Sequence, residues 1–283
     1  MEDTHQPEKA NAPSYVIFTD LDGTLLDPDS YTWKPAGPAL ALCKRLGVPV
    51  ILASSKTRAE MEVLRHQIGL STPFIPENGG AIYFPKPGIA PPPEGALDLQ
   101  DTWKLSLGTP YWRLVESLKE IREELGLQIR GFSNMSLDEI SRLTGLGKSA
   151  CKLAIMREFD EPILVHENSP HFAAISHAAW RRGLKVVPGG RFCHLQGKND
   201  KGQAVRILIS WYKAIVYNVR TIALGDSPND LEMLRVVDFP VLIRSQSSFV
   251  EMQKQIPAAR ISTHAGPEGW NRAVLDILSG LTE

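Results

Sequence analysis

Apolar residues in this chain fall into short, nearly continuous runs, each followed by a longer stretch of helical period. The runs at 15–18 and 48–53 are rich in Val, Ile and aromatic residues and short enough to be buried strands. The amphipathic stretches after them, 35–46 and 58–68, end at Gly47 and Gly69, and Pro35 stands at the first helical position of the earlier one. Thr57 with Glu60 three residues later forms a capping box for the second helix. Strand–helix alternation of this kind predicts an α/β fold, a Rossmann-like parallel sheet covered on both faces.

The pattern changes in the middle of the chain. A short strand at 74–75 and a turn at Asn78-Gly79-Gly80 precede a proline-rich stretch over 85–93 that marks a linker. Beyond it the spacing predicts helices over 109–125, 136–145, 148–157 and 169–182. Strands follow at 162–166, 185–187 and 192–195, with Gly189-Gly190 as a hairpin turn. A helix over 201–215, strands at 221–224 and 240–243, a helix from Asn229 and a closing helix over 270–278 return the chain to the layered core. We read 85–195 as an inserted α+β domain, and 14–84 with 196–283 as the core. Residues 1–13, polar and charged, are expected to be a disordered extension.

With 283 residues, 43% of them hydrophobic, the chain can build one large core or two modest ones. A net charge of −1 gives no electrostatic footprint for nucleic acid or an anionic membrane surface. No apolar stretch approaches the ~20 residues of a membrane-spanning helix. The first residues lack the apolar segment of a secretory signal. Cys43, Cys151 and Cys193 are scattered, without CxxC spacing, and read as reduced thiols of a cytoplasmic protein.

Candidate chemistry gathers at the ends of the apolar runs. Asp20-Leu21-Asp22-Gly23-Thr24 follows the first strand, on the edge where open α/β sheets bind ligands. Carboxylates this close repel unless a cation bridges them or one is protonated. Mg²⁺, which needs few protein ligands, answers that need; a plain acidic turn is the other reading, since Asp-Gly is a common turn pair. The second run ends in Ser54-Ser55-Lys56, where Ser54 can bond a phosphoryl oxygen with Ser55 and Lys56 close behind. Lys201 opens a helix and offers an ammonium point charge for phosphate, or is a surface lysine. A later run ends in Gly225-Asp226-Ser227-Pro228-Asn229-Asp230. Asp226 can complete a metal shell there, with Asn229 and Asp230 orienting waters and backbone. The same residues also suit a helix N-terminus.

In order and spacing, Asp20-Leu21-Asp22-Gly23-Thr24, Ser54, Lys201 and Gly225-Asp226-Ser227-Pro228-Asn229-Asp230 resemble the four motifs of the haloacid dehalogenase superfamily of phosphohydrolases. More narrowly, Ser54-Ser55-Lys56-Thr57-Arg58-Ala59-Glu60, Pro76-Glu77-Asn78-Gly79-Gly80, Arg157-Glu158-Phe159-Asp160-Glu161-Pro162 and Gly189-Gly190-Arg191-Phe192-Cys193-His194 resemble the mannosyl-3-phosphoglycerate phosphatase family within it.

The resemblance implies an aspartyl-phosphate mechanism with Mg²⁺, and makes the insert over 85–195 a mobile cap domain (C2-type). Asp20 would be the nucleophile and Asp22 the acid and base, while Ser54 and Lys201 balance charge on the phosphoryl oxygens. Asp20, Asp226 and the backbone carbonyl of Asp22 would hold the ion. Arg157, Arg191 and His194 are candidates for the carboxylate of a phosphorylated sugar-glycerate substrate, and Glu161 for its sugar hydroxyls. The expected reaction releases mannosylglycerate, a compatible solute. A glucosyl analogue, another sugar phosphate or a phosphosugar mutase reaction are the alternatives. No nucleic acid or membrane partner is expected.

Overall fold

In the computed structural model, which describes residues 14–189, 192–245 and 249–279, the first apolar run is strand β1, Ser14–Thr19, with Ile17 and Phe18 fully buried. Pro35 falls in a 3-10 turn, Lys34–Ala36, that leads into α1, Gly37–Leu46. Gly47, left-handed at φ 69°, ends that helix. Then come β2, Val50–Leu52, and α2, Arg58–Ile68, opened by the reciprocal Thr57–Glu60 box. In chain order there follow β3 (Ala81–Pro85), β4 (Leu97–Asp98), β5 (Thr102–Ser106), α3 (Tyr111–Leu125), α4 (Leu137–Thr144) and α5 (Lys148–Ala154). Next are β6 (Asp160–Ile163), α6 (Phe172–Arg181), β7 (Lys185–Pro188), β8 (Cys193–Gln196) and α7 (Lys201–Ile215). The chain finishes with β9 (Val219–Gly225), α8 (Leu231–Leu234), β10 (Phe239–Arg244), α9 (Phe249–Gln255), β11 (Arg260–Ala265) and α10 (Gly266–Ser279).

Contacts divide the chain into two units, Met1–Ile51 with Val205–Glu283, and Leu52–Ala204. The insert expected at 85–195 lies inside the second. The extension expected over 1–13 lies outside the described residues.

The first unit is an α/β layer built on a five-stranded sheet of order β11-β10-β9-β1-β2. Pairing is parallel from β1 through β9 and β10 to β11, and Thr19 stands opposite Leu224. Near-continuous Val/Ile/Leu strands are what such a sheet requires, because both faces are covered. Helix α10 packs on β11 and α1, burying Trp270, Val274 and Leu278 completely. Strand β11 has no counterpart among the expected strands.

The second unit holds two antiparallel sheets, β3-β5-β4 and β6-β8-β7. Alternation along β8 sends Cys193 and Leu195 to one face, where they pack with Leu114, Leu118 and Ile121 of α3 and Ile175 of α6. His194 and Gln196 take the opposite face, with Asp160 directly across from Gln196. Strand β6 begins two residues earlier than its apolar run, at Asp160, because two buried carboxylates take ladder positions there. Its expected continuation to 166 stops at Ile163. Among the described residues no helix is long and apolar enough to cross a membrane.

Candidate active site

The acidic part of the site grows out of the ends of β1 and β9. Asp20 extends the ladder, its N–H donating to Leu224 O at 2.9 Å. Beneath it the indole of Trp270 donates to Thr19 Oγ1 at 2.9 Å, and that hydroxyl donates to the Asp20 carbonyl at 2.8 Å. An indole can only donate, so the hydroxyl that accepts from it directs its own proton onward. Past Asp20 the chain folds back, with the N–H groups of Thr24 and Leu26 donating to Leu21 O at 3.1 and 2.7 Å. Asp22 lies half-buried in this turn. Gly23 is left-handed at φ 78°, and a Cβ there would stand 2.6 Å from Asp226 Oδ2. Only glycine lets the turn approach that carboxylate.

Asp226 follows β9 directly. Asp230 then reaches back: its Oδ2 accepts from the N–H groups of Asp226 and Ser227, both at 3.1 Å, and from Ser227 Oγ at 3.2 Å. Gly225 leaves the room for this, since a Cβ on it would stand 2.7 Å from Asp230 Oδ2. Asn229 Oδ1 accepts from Ser227 Oγ.

Ligand oxygens of Asp20, Asp226 and Asp230 all lie within 4.8 Å of one another. Three carboxylates so close, with Asp20 only 5% exposed, fit a hard divalent cation. The three donors on Asp230 Oδ2 make that residue above all a clamp on the backbone carrying Asp226.

In the second unit, the Ser54 N–H donates to Ile75 O at 2.9 Å and Ser54 Oγ accepts from the Lys56 N–H at 3.2 Å. Ser54 and Lys201 are buried, Ser55 and Lys56 half-buried. Arg157, expected at a substrate carboxylate, has a side chain only 7% exposed. It donates to Ser55 O at 2.8 Å and Ala154 O at 2.9 Å and pairs with Asp160 at 3.4 Å. Burial works against its charge, but Asp160, Glu60 and Glu77 together hold its pKa above the ordinary value.

Glu161 is fully buried, accepting from Tyr111 Oη at 2.7 Å and from Ser133 Oγ and N–H at 2.6 and 2.9 Å. Burial pushes its carboxyl pKa up against those donors. His194 is partly exposed, and its Nδ1 lies 2.7 Å from Asp160 Oδ2. An ionised carboxylate only accepts, so Nδ1 bears the proton and Nε2 is left for another partner. Arg191 lies outside the described residues.

Sequence reasoning alone misses Asp160, Thr24 and Glu77. For Asp160 a signal was present: three acids beside one arginine over 157–161, opening a buried strand, demand internal pairing. Glu77 accepts from the N–H groups of Glu158 and Phe159. Burial, opposed by Arg157 and reinforced by Asp160, pushes its pKa up to about 8.

Residues 17–89 match the haloacid dehalogenase-like hydrolase family. The glucosyl-3-phosphoglycerate/mannosyl-3-phosphoglycerate phosphatase of Methanococcoides burtonii is 39% identical over 264 residues, covering 93% of this chain and 97% of that protein. The mannosyl-3-phosphoglycerate phosphatase of Pyrococcus furiosus is 38% identical over 228 residues, covering 81% of this chain and 90% of its own. Among solved structures, a subclass IIB sugar phosphatase of the same superfamily superposes with a TM-score of 0.63 at 12% identity, over 95% of this chain and 99% of the other. That likeness is one of fold: an α/β core with a cap domain.

Proposed function

We propose that this chain, which belongs to the haloacid dehalogenase-like hydrolases and to the phosphatase family of the relatives just described, hydrolyses mannosyl-3-phosphoglycerate to mannosylglycerate and phosphate in a Mg²⁺-dependent reaction. The glucosyl ester is the alternative substrate. The observation that carries the reading is the close group of Asp20, Asp226 and Asp230 at the ends of β1 and β9.

In this mechanism Asp20 attacks phosphorus in line, and the ester oxygen departs as the new P–O bond forms. Asp22 gives that oxygen its proton, then takes one from the water that cleaves the aspartyl phosphate and restores Asp20. Ser54 and Lys201, assigned by their places in the motif order, donate to the equatorial oxygens, where charge is greatest in phosphoryl transfer. Mg²⁺, held by Asp20, Asp226 and the carbonyl of Asp22, would supply the positive charge that lets an anionic nucleophile approach an anionic ester. Asp230 keeps the Asp226 backbone in place, and Asn229 steadies Ser227 in the same turn.

For the rest of the substrate we assign the contact to His194, with Arg157 and Glu161 holding the frame behind it. Ser55 and Lys56 support the phosphate loop. Buried free Cys43, Cys151 and Cys193 suit a reducing compartment, and we assign the enzyme to the cytoplasm with small-molecule partners alone.

A phosphate-release assay tests the reading. Mannosyl- and glucosyl-3-phosphoglycerate, 3-phosphoglycerate and hexose phosphates would be compared with and without Mg²⁺. The glycosyl phosphoglycerates should have the highest kcat/KM, and chelation should stop turnover. Preference for simple hexose phosphates would overturn the substrate assignment, and turnover indifferent to chelation would overturn the metal.

A further inference from the structure

Glu77-Asn78-Gly79, a turn within the Pro76–Gly80 stretch of the sequence, stands at positive φ through all three residues: 49°, 53° and 86°. Left-handed residues other than glycine are strained and persist only where their surroundings over-determine them. Here the surroundings are the two segments that carry the groups assigned to the phosphoryl oxygens.

On one side the Glu77 N–H donates to Lys56 O at 3.0 Å and the Asn78 N–H to Ser54 O at 2.9 Å, so the turn holds the backbone of the Ser54 loop. On the other side Gly79 lies against the start of α7. A Cβ on Gly79 would stand 2.2 Å from Asp200 O and 3.1 Å from Lys201 N. Asn199 Nδ2 donates to Asn78 O and Asn78 Nδ2 to Gln196 Oε1, both at 3.4 Å. Gln196 Nε2 closes the ring by donating to Asn199 O at 2.9 Å. The Glu77 carboxylate adds a third tie, accepting from the Glu158 N–H at 3.0 Å and the Phe159 N–H at 2.7 Å. All of these bonds lie within the second unit.

We propose that this turn is a positioning element for phosphate recognition: Asn78 and Gly79 set the spacing of Ser54 and Lys201 so that hydroxyl and ammonium grip one phosphoryl group. The inference rests on the phosphatase reading above. Ser54 sits on a loop and Lys201 on the first turn of a helix far along the chain, and the strained turn bonds to both segments. Misplacing such a group by about 1 Å costs on the order of 100-fold in rate, which gives the strain a function.

The test compares wild type with Asn78→Gly, Asn78→Asp and Gly79→Ala. Asn78→Gly frees the left-handed backbone and removes the amide. Asn78→Asp keeps the shape but loses the donor to Gln196, and Gly79→Ala drives a methyl group into Asp200. Calorimetry would give the affinities for inorganic phosphate and for Mg²⁺, and steady-state assays kcat/KM for p-nitrophenyl phosphate and mannosyl-3-phosphoglycerate.

Phosphate affinity should fall about tenfold or more, and kcat/KM for both esters by a common factor, since both use the same grip. Mg²⁺ affinity, set by Asp20 and Asp226, should not change. Should Gly79→Ala fail to fold, the two Asn78 variants decide. Folded variants with phosphate affinity and kcat/KM within about twofold of wild type would overturn the proposal. So would a loss confined to the glycosyl ester, or an equal loss of Mg²⁺ affinity. Wild-type protein that bound no phosphate and hydrolysed neither ester would overturn the phosphatase reading itself, and this inference with it.

Discussion

Thr24 Oγ1 donates to Asp226 Oδ1 at 3.2 Å, joining residues 202 positions apart in sequence. With Gly23 pressed against Asp226 Oδ2, the turn after β1 fixes how the carboxylate beyond β9 is presented. Thr24→Val, nearly isosteric, should therefore lower divalent-cation affinity by about tenfold, the scale of one hydrogen bond to a charged group. Thr24→Ser should keep it, and Asp226→Ala should lose far more. Titration calorimetry with Mg²⁺ reads this directly. Equal affinities for Thr24→Val and wild type would remove Thr24 from the metal site.

Asp20→Asn should abolish turnover while leaving the melting temperature within a few degrees of wild type, because an amide fills the same space but cannot attack phosphorus. Asp22→Asn should separate substrates by leaving group. Aryl phosphates, whose leaving oxygen needs no proton, should still phosphorylate Asp20, while glycosyl phosphoglycerate turnover falls by about 100-fold or more. Rapid-quench measurement of the burst in both esters distinguishes the steps. An equal loss for the two would refute the acid–base assignment.

Arg157→Ala should be felt first as lost stability. The guanidinium is enclosed between Ser55 O, Ala154 O and the fully buried carboxylate of Asp160. Removing one partner of a buried ion pair costs about 3–5 kcal/mol, because the other charge is left uncompensated. Denaturant unfolding should show a loss of that order. A variant as stable as wild type with only a raised KM would return Arg157 to direct substrate contact.

How much of this was legible in the chain depends on where each signal resides. Helix α2 was fixed residue by residue because its signals are local: the Thr57–Glu60 box at one end and Gly69 at the other. Strand β11 was not, since Arg260–Ala265 carries little apolar pattern and owes its extended state to pairing with β10 at the sheet edge. Helix α10 starts at Gly266, ahead of the expected 270, through a Gly-Pro-Glu-Gly stretch that reads as loop. Gly269 is there because a Cβ would stand 2.0 Å from His264 O. In the site, Asp20, Asp22 and Asp226 were visible as a motif. The partners of Arg157 and Glu161 were not, since sequence does not say which charged residue meets a buried counterpart, and only tertiary packing decides it.

Glu77 gives the protein a pH signature. Its folded pKa of about 8 lies above the ordinary 4.5, so the folded state keeps a proton that the unfolded chain has lost. By linkage its contribution to stability is complete below about 4.5 and declines as pH rises toward about 8. Glu77→Gln, uncharged throughout, should flatten the fall in melting temperature between about pH 5 and 8. Parallel profiles for the two proteins would show that Glu77 is ionised in the folded state.

The strand that carries Asp20 is flanked by β2 and β9, and β9 is encoded only after the whole of the second unit. On the ribosome, β1 must therefore wait with one edge bare while residues 52–204 emerge and gather their own cores. An unpaired apolar edge held open that long invites pairing with a neighbouring chain. A segment later still, which brings Trp270 under Thr19, ties down the backbone beside Asp20. A product truncated before β9 would thus carry Asp20 on a strand paired along β2 alone, with its other edge open.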